Sequence, residues 1–398
     1  MSRKASLMVL AFSLVVAVSL TASMVWHHSP GDADGPVKQM GIMVEVYQHI
    51  SDDYVTTPNL GKVSNGALHG LLESLDADSS YLGPQEYQAY LAQQAHPPAG
   101  GVEAVLSKRV GYADVVDVQA GGNAAQAGLV RGDFVEAIGN TDTRDMSMEA
   151  IDRRLRGAPG STITLSVVHL HRSNPVKVTI TRVAASMPAL QSRKQGSVGI
   201  IRVPDFEAGR AGQVAAAVKA LRGQGARQFV LDLRNCGAGS YAEAEQTANV
   251  FLNQGTITYL KGQKYPQVTT TAEAAKAVDP SDKLEVLVNF GTFGPAEVAA
   301  AALQQNGRAQ VIGDPSFGEG SLQKLIPVGD GSALWLTVAR YYSPKGKLIQ
   351  DGITPDVAQV KYEGALPDLD YAPEGVTGQQ PDLQMQKALQ LAAAGSTP

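Results

Sequence analysis

From residue 196 onward, short apolar runs alternate with longer segments of helical periodicity, and this alternation restricts the possible fold more than any other feature. The apolar runs lie at 198–203, 228–233, 284–289 and 309–312, and the helical segments lie between them at 209–222, 241–251 and 295–305. Strands that are joined through helices usually lie side by side in one sheet, with the helices covering its faces. The sequence therefore predicts a parallel or mixed sheet, followed by a hairpin over 321–342 and a short amphipathic helix at 381–394.

Residues 99–183 show a different pattern, in which five short apolar runs are separated by Gly, Asp and Asn turns. Two short helical pieces are predicted among them, near 124–127 and 147–156. The first piece opens the segment Ala124-Ala125-Gln126-Ala127-Gly128-Leu129-Val130-Arg131-Gly132-Asp133. Gly128 and Gly132 permit the tight turns of this segment. The A-x-x-A-G-L-x-x-G-D pattern resembles the signature of a PDZ domain.

The N-terminus has the features of an export signal. Arg3 and Lys4 precede an uncharged apolar run over residues 7–26, and a polar stretch follows. Twenty helical residues span about 30 Å, enough to cross a bilayer, whereas a cleaved signal is normally shorter and ends in small residues. A signal anchor and a cleaved signal peptide both remain open. Either one predicts a periplasmic or other extracytoplasmic protein, anchored in the inner membrane if residues 7–26 are retained.

Composition excludes several classes of function. The 398 residues carry a net charge of −5 without a basic block, which argues against nucleic acid as a partner. One cysteine rules out an intrachain disulfide and a Cys-rich metal site. All seven histidines lie at or before His171, so the second half of the chain holds no Ser-His-Asp or Cys-His site of its own. No metal-ligand spacing or nucleotide-binding motif is convincing, and we expect no cofactor.

A resemblance to one family extends over almost the whole chain. The chain resembles the carboxy-terminal processing, or tail-specific, proteases. The matching segments are 70–82, the PDZ signature, Asp232-Leu233-Arg234-Asn235, 288–289, 304–309, 317–318 with 320–323, and 330–344. The resemblance implies an α/β (α+β multidomain) fold in which a PDZ domain is inserted before a crotonase-like protease core. The expected divisions are 1–26 for the signal segment, 37–95 for an N-terminal helical region, 99–183 for the PDZ domain, 184–360 for the core and 361–398 for the tail.

The same resemblance locates a catalytic centre and shows that its chemistry is altered. Family members use a serine nucleophile and, 25 residues later, a buried neutral lysine as its base. These two positions are occupied here by Gly294 and Glu319, while the glutamine that orients the lysine is retained as Gln323. The turn that supplies the oxyanion amide is changed as well, to Cys236-Gly237-Ala238-Gly239, and Ala238 disfavours a positive φ.

Two functions follow as alternatives from these changes. The first is a pseudoprotease that acts as a peptide-binding or protein-binding scaffold or regulator in the cell envelope. The second is a serine-type or otherwise unorthodox endopeptidase with a relocated nucleophile. Thr292 with Glu319 as its base, or Cys236, would have to supply that nucleophile. The pair of replacements at Gly294 and Glu319 favours the first. Its expected partners are C-terminal or extended segments of envelope proteins, in a homodimer or a hetero-complex formed through the N-terminal helices.

PDZ domains bind an extended C-terminus as an added strand, and backbone amides of a loop take its carboxylate. The resemblance places that loop at Gly100, Gly101, Val102, Glu103 and Ala104, with Ile151 and Leu155 as the apolar wall of the groove. Glu103 replaces a common glycine. Its backbone N–H is expected to donate still, while its side chain repels a ligand carboxylate by up to about 1 kcal/mol. The groove is therefore expected to be weak, or to prefer an internal or basic segment.

Overall fold

The computed structural model describes residues 35–109, 111–119, 121–170, 172–184, 188–279, 281–362 and 381–394. The chain divides after Ala67 into two compact units. The predicted signal segment lies outside the described residues. Within the described part of the chain, no helix has the length and apolar character needed to span a bilayer.

The N-terminal part of the chain is helical, as its periodicity predicts. Its elements are α1 (Pro36–Asp53), α2 (Leu60–Glu73), β1 (Ser80–Leu82) and α3 (Pro84–Ala95). The sequence pattern predicts a turn where β1 is found. Ser80–Leu82 instead pairs with residues 333–335 far along the chain, a long-range contact that local turn residues do not reveal. On α1 the apolar side chains of Val37, Met40, Val44 and Val46 are exposed.

A small β unit follows, formed by an antiparallel sheet with two helices. Its elements are β2 (Gly100–Gly101), β3 (Ala104–Arg109), β4 (Tyr112–Val118), α4 (Asn123–Gln126), β5 (Phe134–Ile138), β6 (Thr141–Asp142), α5 (Met148–Leu155), β7 (Thr162–Val168), β8 (Val176–Thr181) and β9 (Val183–Ala184). The main sheet has the order β3-β4-β5-β7-β8, so β3 forms one edge. Ile151, Leu165 and Ile180 lie in the core beneath it.

The remaining elements form an α/β layer structure with a second, antiparallel sheet. They are β10 (Gln191–Gln195), β11 (Val198–Arg202), α6 (Arg210–Gly223), β12 (Gln228–Asp232), α7 (Tyr241–Phe251), β13 (Thr256–Lys261), β14 (Val268–Thr271), β15 (Lys283–Val288), α8 (Pro295–Gln305), β16 (Gln310–Gly313), β17 (Ser321–Pro327), β18 (Ala333–Tyr342), β19 (Val357–Ala358) and α9 (Leu383–Ala394). The layer sheet has the order β10-β11-β12-β15-β16-β19, and its strands from β11 to β19 are parallel.

Both faces of the parallel sheet are covered, which explains why its strands are continuous apolar runs. Residues of α6, α7 and α8 form the larger core cluster with one face of the sheet. On the other face, α9 packs Ala388 and Ala392 against Ile200, Val230 and Leu287. The sequence pattern does not predict β10, because all of its side chains are exposed and it adds to the sheet only through its backbone.

One arginine connects the sheet to the final helix. Arg234 follows β12 and donates to both carboxylate oxygens of Asp232, at 2.8 and 2.9 Å, and to those of Asp382, at 2.9 and 3.0 Å. It also donates to Gln384 at the start of α9. Burial acts to raise the pKa of Asp232, but Arg234 and Arg202 hold it well below its ordinary value. The segment that begins the predicted oxyanion turn is thereby fixed to the sheet.

The packing of α9 generates the first prediction. Ala388 is fully buried, so Ala388→Asp places an unpaired charge against the sheet. If the helix stays docked, this charge lowers the free energy of unfolding by roughly 3–5 kcal/mol. We therefore expect α9 to detach, seen as faster amide hydrogen exchange over residues 383–394. Gln390→Asp, on the exposed face of the same helix, is the control and should leave exchange unchanged. Equal protection in both variants would contradict the docking of α9.

Candidate functional site

The predicted nucleophile position lies at a sharp turn between a strand and a helix. β15 ends at Val288, α8 begins at Pro295, and Gly294 between them has φ +53° and ψ −115°. Glycine alone adopts this conformation readily. A Cβ built on Gly294 would lie 3.5 Å from the Tyr241 hydroxyl and 3.8 Å from the Gly237 carbonyl oxygen, which is ordinary contact. The turn thus retains space for a side chain but presents no hydroxyl.

A buried carboxylate holds this turn in place. Glu297, in the first turn of α8, accepts hydrogen bonds from the backbone N–H of Gly294 at 2.9 Å, Gly318 at 2.7 Å and Glu319 at 2.8 Å. The Ser316 hydroxyl donates to it as well. Burial raises the pKa of Glu297 to about 7, and these hydrogen bonds oppose a larger rise. One side chain therefore fixes the loop of Glu319 against the turn of Gly294.

Glu319, at the predicted position of the base, lines a cavity of about 430 Å³. Asp78, Gln323, Phe293 and Trp335 line the same cavity. Gln323, predicted to orient the base, donates through Nε2 to the carbonyl oxygen of Asp78 at 2.6 Å. Ser321 donates to the Asp78 carboxylate at 2.8 Å. Burial raises the pKa of Asp78, and the Ser321 hydrogen bond opposes the rise. Carboxylates now occupy the place where the resemblance implies a lysine.

The predicted oxyanion turn is present and is unstrained at its alanine. Ala238 is not among the described residues with positive φ, and the left-handed value of +105° falls on Gly239. The concern that Ala238 disfavours the turn therefore does not apply. The Ala238 carbonyl accepts from the Phe206 N–H at 2.7 Å, which fixes this turn next to α6. Gly237 tolerates no side chain, since a Cβ there would lie 2.5 Å from the Phe293 carbonyl oxygen.

The structure places both alternative nucleophiles in structural roles. Thr292 is fully buried; its hydroxyl donates to the Leu233 carbonyl at 2.8 Å and accepts from the Asn289 N–H at 3.0 Å. It does not line the cavity beside Glu319. Cys236 is buried as well, and burial raises the pKa of its thiol far above the ordinary value, so the thiol stays protonated.

The cavity continues from Glu319 to the edge strand of the PDZ-like unit. Val105, Leu106 and Ser107 of β3 line it, and Met148 and Asp152 of α5 stand opposite. In the described part of the chain, β3 pairs with β4 alone, so its other edge is available to an added strand. Ile151 packs into the core and lines neither cavity, so of the two residues predicted for the apolar wall only Leu155 lines a cavity.

A second cavity, of about 500 Å³, adjoins the first at the predicted carboxylate-binding loop. Gly100, Gly101, Val102, Glu103 and Ala104 all line it, together with Leu155 and Ala238. The predicted groove and the predicted oxyanion turn thus face one space. More than a hundred residues separate the loop at 100–104 from the turn at 236–239, so only the fold brings the two segments together.

Glu103 does not act as predicted in that loop. Its backbone N–H, expected to serve a ligand carboxylate, donates instead to Asn123 Oδ1 at 2.8 Å. Its carboxylate accepts from the Asn123 N–H at 2.8 Å and caps α4. The Gly100 N–H is occupied as well, by the Gly157 carbonyl at 3.0 Å. Two of the loop amides are therefore committed within the protein.

The PDZ-like unit packs directly on the loops of the predicted centre. Val116 of β4 forms a buried cluster with Phe293 and Phe317, which flank Gly294 and Glu319 in the chain. Arg131, from the PDZ signature, donates to Asn235 Oδ1 at 3.2 Å. The sequence pattern does not predict this contact, nor does it predict the roles of Glu297 and Asp78 in the site. Of the three, only Glu297 has a local signal: a glutamate at the third position of a helix whose N-cap is Gly294.

The conformation of Gly294 generates the second prediction. Gly294→Ala should lower the free energy of unfolding by roughly 1–3 kcal/mol, because alanine is strained at this positive φ. The added methyl group itself has room and should cause no clash. The measurement is urea unfolding of the full-length protein. The control is Gly212→Ala on the exposed face of α6, which should be neutral or stabilising by roughly 0.5–1 kcal/mol. A Gly294→Ala variant as stable as the control would refute the strained turn.

Comparison with known proteins identifies the fold and the family. Residues 197–359 match peptidase family S41, and residues 115–168 match the PDZ domain family. The solved structure of a photosystem II D1 C-terminal processing protease superposes with a TM-score of 0.67 over 80% of this chain and 92% of that chain, at 23% identity. The predicted fold class, an α/β protease core with a PDZ domain, is thereby confirmed.

The sequence relatives carry the same description. The carboxy-terminal-processing protease of Bartonella bacilliformis is 31% identical over 354 residues, covering 86% of this chain and 81% of the relative. The carboxyl-terminal-processing protease of a Synechocystis species is 32% identical over 298 residues, covering 73% and 69%. By its sequence, the chain belongs to the carboxy-terminal-processing proteases of peptidase family S41.

Proposed function

We propose that this chain is a catalytically degenerate family member, a pseudoprotease that binds peptide or protein segments without hydrolysing them. The observation that carries the proposal is the turn at Gly294. Its backbone keeps the sharp geometry of a residue presented at the start of a helix, and it has room for a side chain, but it carries neither hydroxyl nor thiol. Glu319 at the partner position is a carboxylate and not a neutral amine.

The binding half of the proposal rests on surfaces that the substitutions leave intact. The free edge of β3 offers backbone groups to an extended segment, and the cavity beside it leads past Phe293 to Glu319. Trp335 lines this cavity, and its Nε1 is buried with no hydrogen-bond partner among the described residues. The side chain as a whole is half-buried, so other parts of the indole ring remain open to contact with a bound segment.

The alternative is an active serine-type endopeptidase that cleaves the C-terminal regions of exported proteins. It requires a nucleophile to replace the serine. Thr292 would have to give up hydrogen bonds to Leu233 and Asn289, and Cys236 would have to lose a proton in an apolar environment. The Thr292 hydroxyl contacts described above include no base, and the Cys236 thiol stays protonated, so these contacts favour binding over hydrolysis.

Location and partners extend the proposal. An apolar segment over residues 7–26 would place the protein outside the cytoplasm, with or without a membrane anchor. Extended segments of envelope proteins would then be the ligands. The exposed apolar residues of α1, among them Met40, Val44 and Val46, favour a homodimer or a hetero-complex. The proposal needs no cofactor and no nucleic acid.

The proposal predicts that the full-length protein does not cleave unfolded substrates. Purified protein is incubated with casein and with a mixture of unstructured peptides, and the products are read by mass spectrometry. The carboxy-terminal-processing protease of Bartonella bacilliformis, under the same conditions, is the positive control. We expect no fragments above those of a buffer blank, because no nucleophile stands at Gly294.

Three variants guard this test against a contaminating protease and against a relocated site. Thr292→Val, Cys236→Ala and Glu319→Gln each remove one group that an unorthodox mechanism would need. Cleavage by the wild type that any of these variants abolishes, while the variant remains folded, would overturn the proposal. Cleavage that all three variants retain would point to a contaminating protease. The proteins are then purified further and the cleavage assay is repeated.

A further inference from the structure

The charge of the two cavities carries an inference about what they bind. Their described lining contains eight carboxylate side chains against two guanidinium groups. Because Arg210, outside the lining, pairs with Asp205, the remaining excess is five negative charges, as large as the net charge of −5 of the whole chain. The acidic groups are therefore concentrated here and not spread over the surface. Such a cleft attracts cations and repels anions.

Two ion pairs involve carboxylates of the lining. Glu149 pairs with Arg153 at 2.8 Å, and Asp205 pairs with the buried Arg210 at 2.8 Å. The side chain of Glu103 stays at the cavity wall, where the N-terminus of α4 holds it. Asp152 lines both cavities, as does Arg156, so these two residues mark where the cavities meet. Toward one end lies Glu207 and toward the other lie Asp78 and Glu319.

The same surfaces are unsuited to a free C-terminus. The N–H groups of Gly100 and Glu103, which would hold a ligand carboxylate, donate to Gly157 and Asn123. The carboxylates of Glu103, Asp117 and Glu207 line this end of the cavity. A ligand carboxylate would meet like charges here and find fewer donors. Recognition by main-chain pairing along β3 does not require a terminus at all.

We propose that the groove selects a basic, extended peptide segment that is rich in Lys or Arg. The segment pairs with the open edge of β3 and lies within its chain, so that no C-terminal carboxylate takes part in binding. One of its cationic side chains is directed toward Glu319 and Asp78. The inference rests on the proposed binding function and narrows it to one class of ligand. The cation would then lie where active relatives are expected to have their own lysine. It would also reduce the repulsion among the carboxylates at that end of the cavity.

Peptide affinity tests the inference directly. A fluorescent dodecapeptide with four lysines is compared with peptides that carry glutamine or glutamate at those positions, each with a free and with an amidated C-terminus. Fluorescence anisotropy with the full-length protein at pH 7.5 gives the dissociation constants. We expect the lysine peptide to bind at least about tenfold more tightly than the glutamine peptide at low salt, a preference that high salt reduces. The glutamate peptide should bind most weakly, and amidation should not weaken the lysine peptide.

Variants locate the effect in the groove. Asp152→Asn and Glu207→Gln remove a charge from exposed side chains of the lining, and each should reduce the preference for lysine over glutamine by about threefold. The control is Asp142→Asn, an exposed carboxylate of the same PDZ-like unit that lines neither cavity, and it should leave the preference unchanged. If Asp142→Asn reduces the preference for lysine over glutamine as much as Asp152→Asn and Glu207→Gln do, the inference is contradicted.

The remaining outcomes separate this inference from the proposed function. Equal affinity for the lysine, glutamine and glutamate peptides would overturn the charge selection, while binding without cleavage would still stand. Binding that disappears on amidation would overturn internal recognition in the same way. The absence of binding by every peptide would overturn both proposals, and cleavage of a bound peptide would overturn the proposed function alone.

Discussion

The carboxylate of Glu297 is the interaction on which the geometry of the site depends. It is buried, and it collects three backbone N–H groups and one hydroxyl from two separate segments of the chain. Left unpaired, each of those donors would be unfavourable in the interior. Together they hold the turn of Gly294 and the loop of Glu319 side by side. The arrangement does not depend on a side chain at position 294, so the turn keeps its geometry with a glycine there.

Replacement at two positions changes the electrostatics of the site as well as its chemistry. A lysine base works when burial keeps it neutral. A carboxylate at the same place adds to Asp78 and gives an acidic end to the cavity. The PDZ-like unit contributes further carboxylates at Asp152 and Glu103. The charge of this cleft therefore suits a basic chain better than an acidic one.

The sequence predicts the layer fold well, because its strands β11, β12, β15 and β16 are apolar runs bounded by turns. It does not predict β13 and β14, which are rich in threonine and belong to the second sheet. It predicts the helix after Gly294 from a proline at its first position. It fails at β1 and β10, whose partners lie far along the chain or bind through backbone alone. It also fails at Ile151 and Glu103. Both residues fit the predicted groove by position, but the direction of each side chain depends on α4 and on the core of the PDZ-like unit.

A crystal structure of the protein after prolonged incubation with the amidated lysine peptide tests the central claim most directly. The account predicts one unbroken peptide, paired along β3 and continuing past Gly294, with a lysine ammonium in hydrogen-bond contact with Glu319 or Asp78. Two peptide fragments separated at Gly294 would contradict binding without hydrolysis. A peptide bound away from β3, with the cleft empty, would contradict the account of what the retained architecture is for.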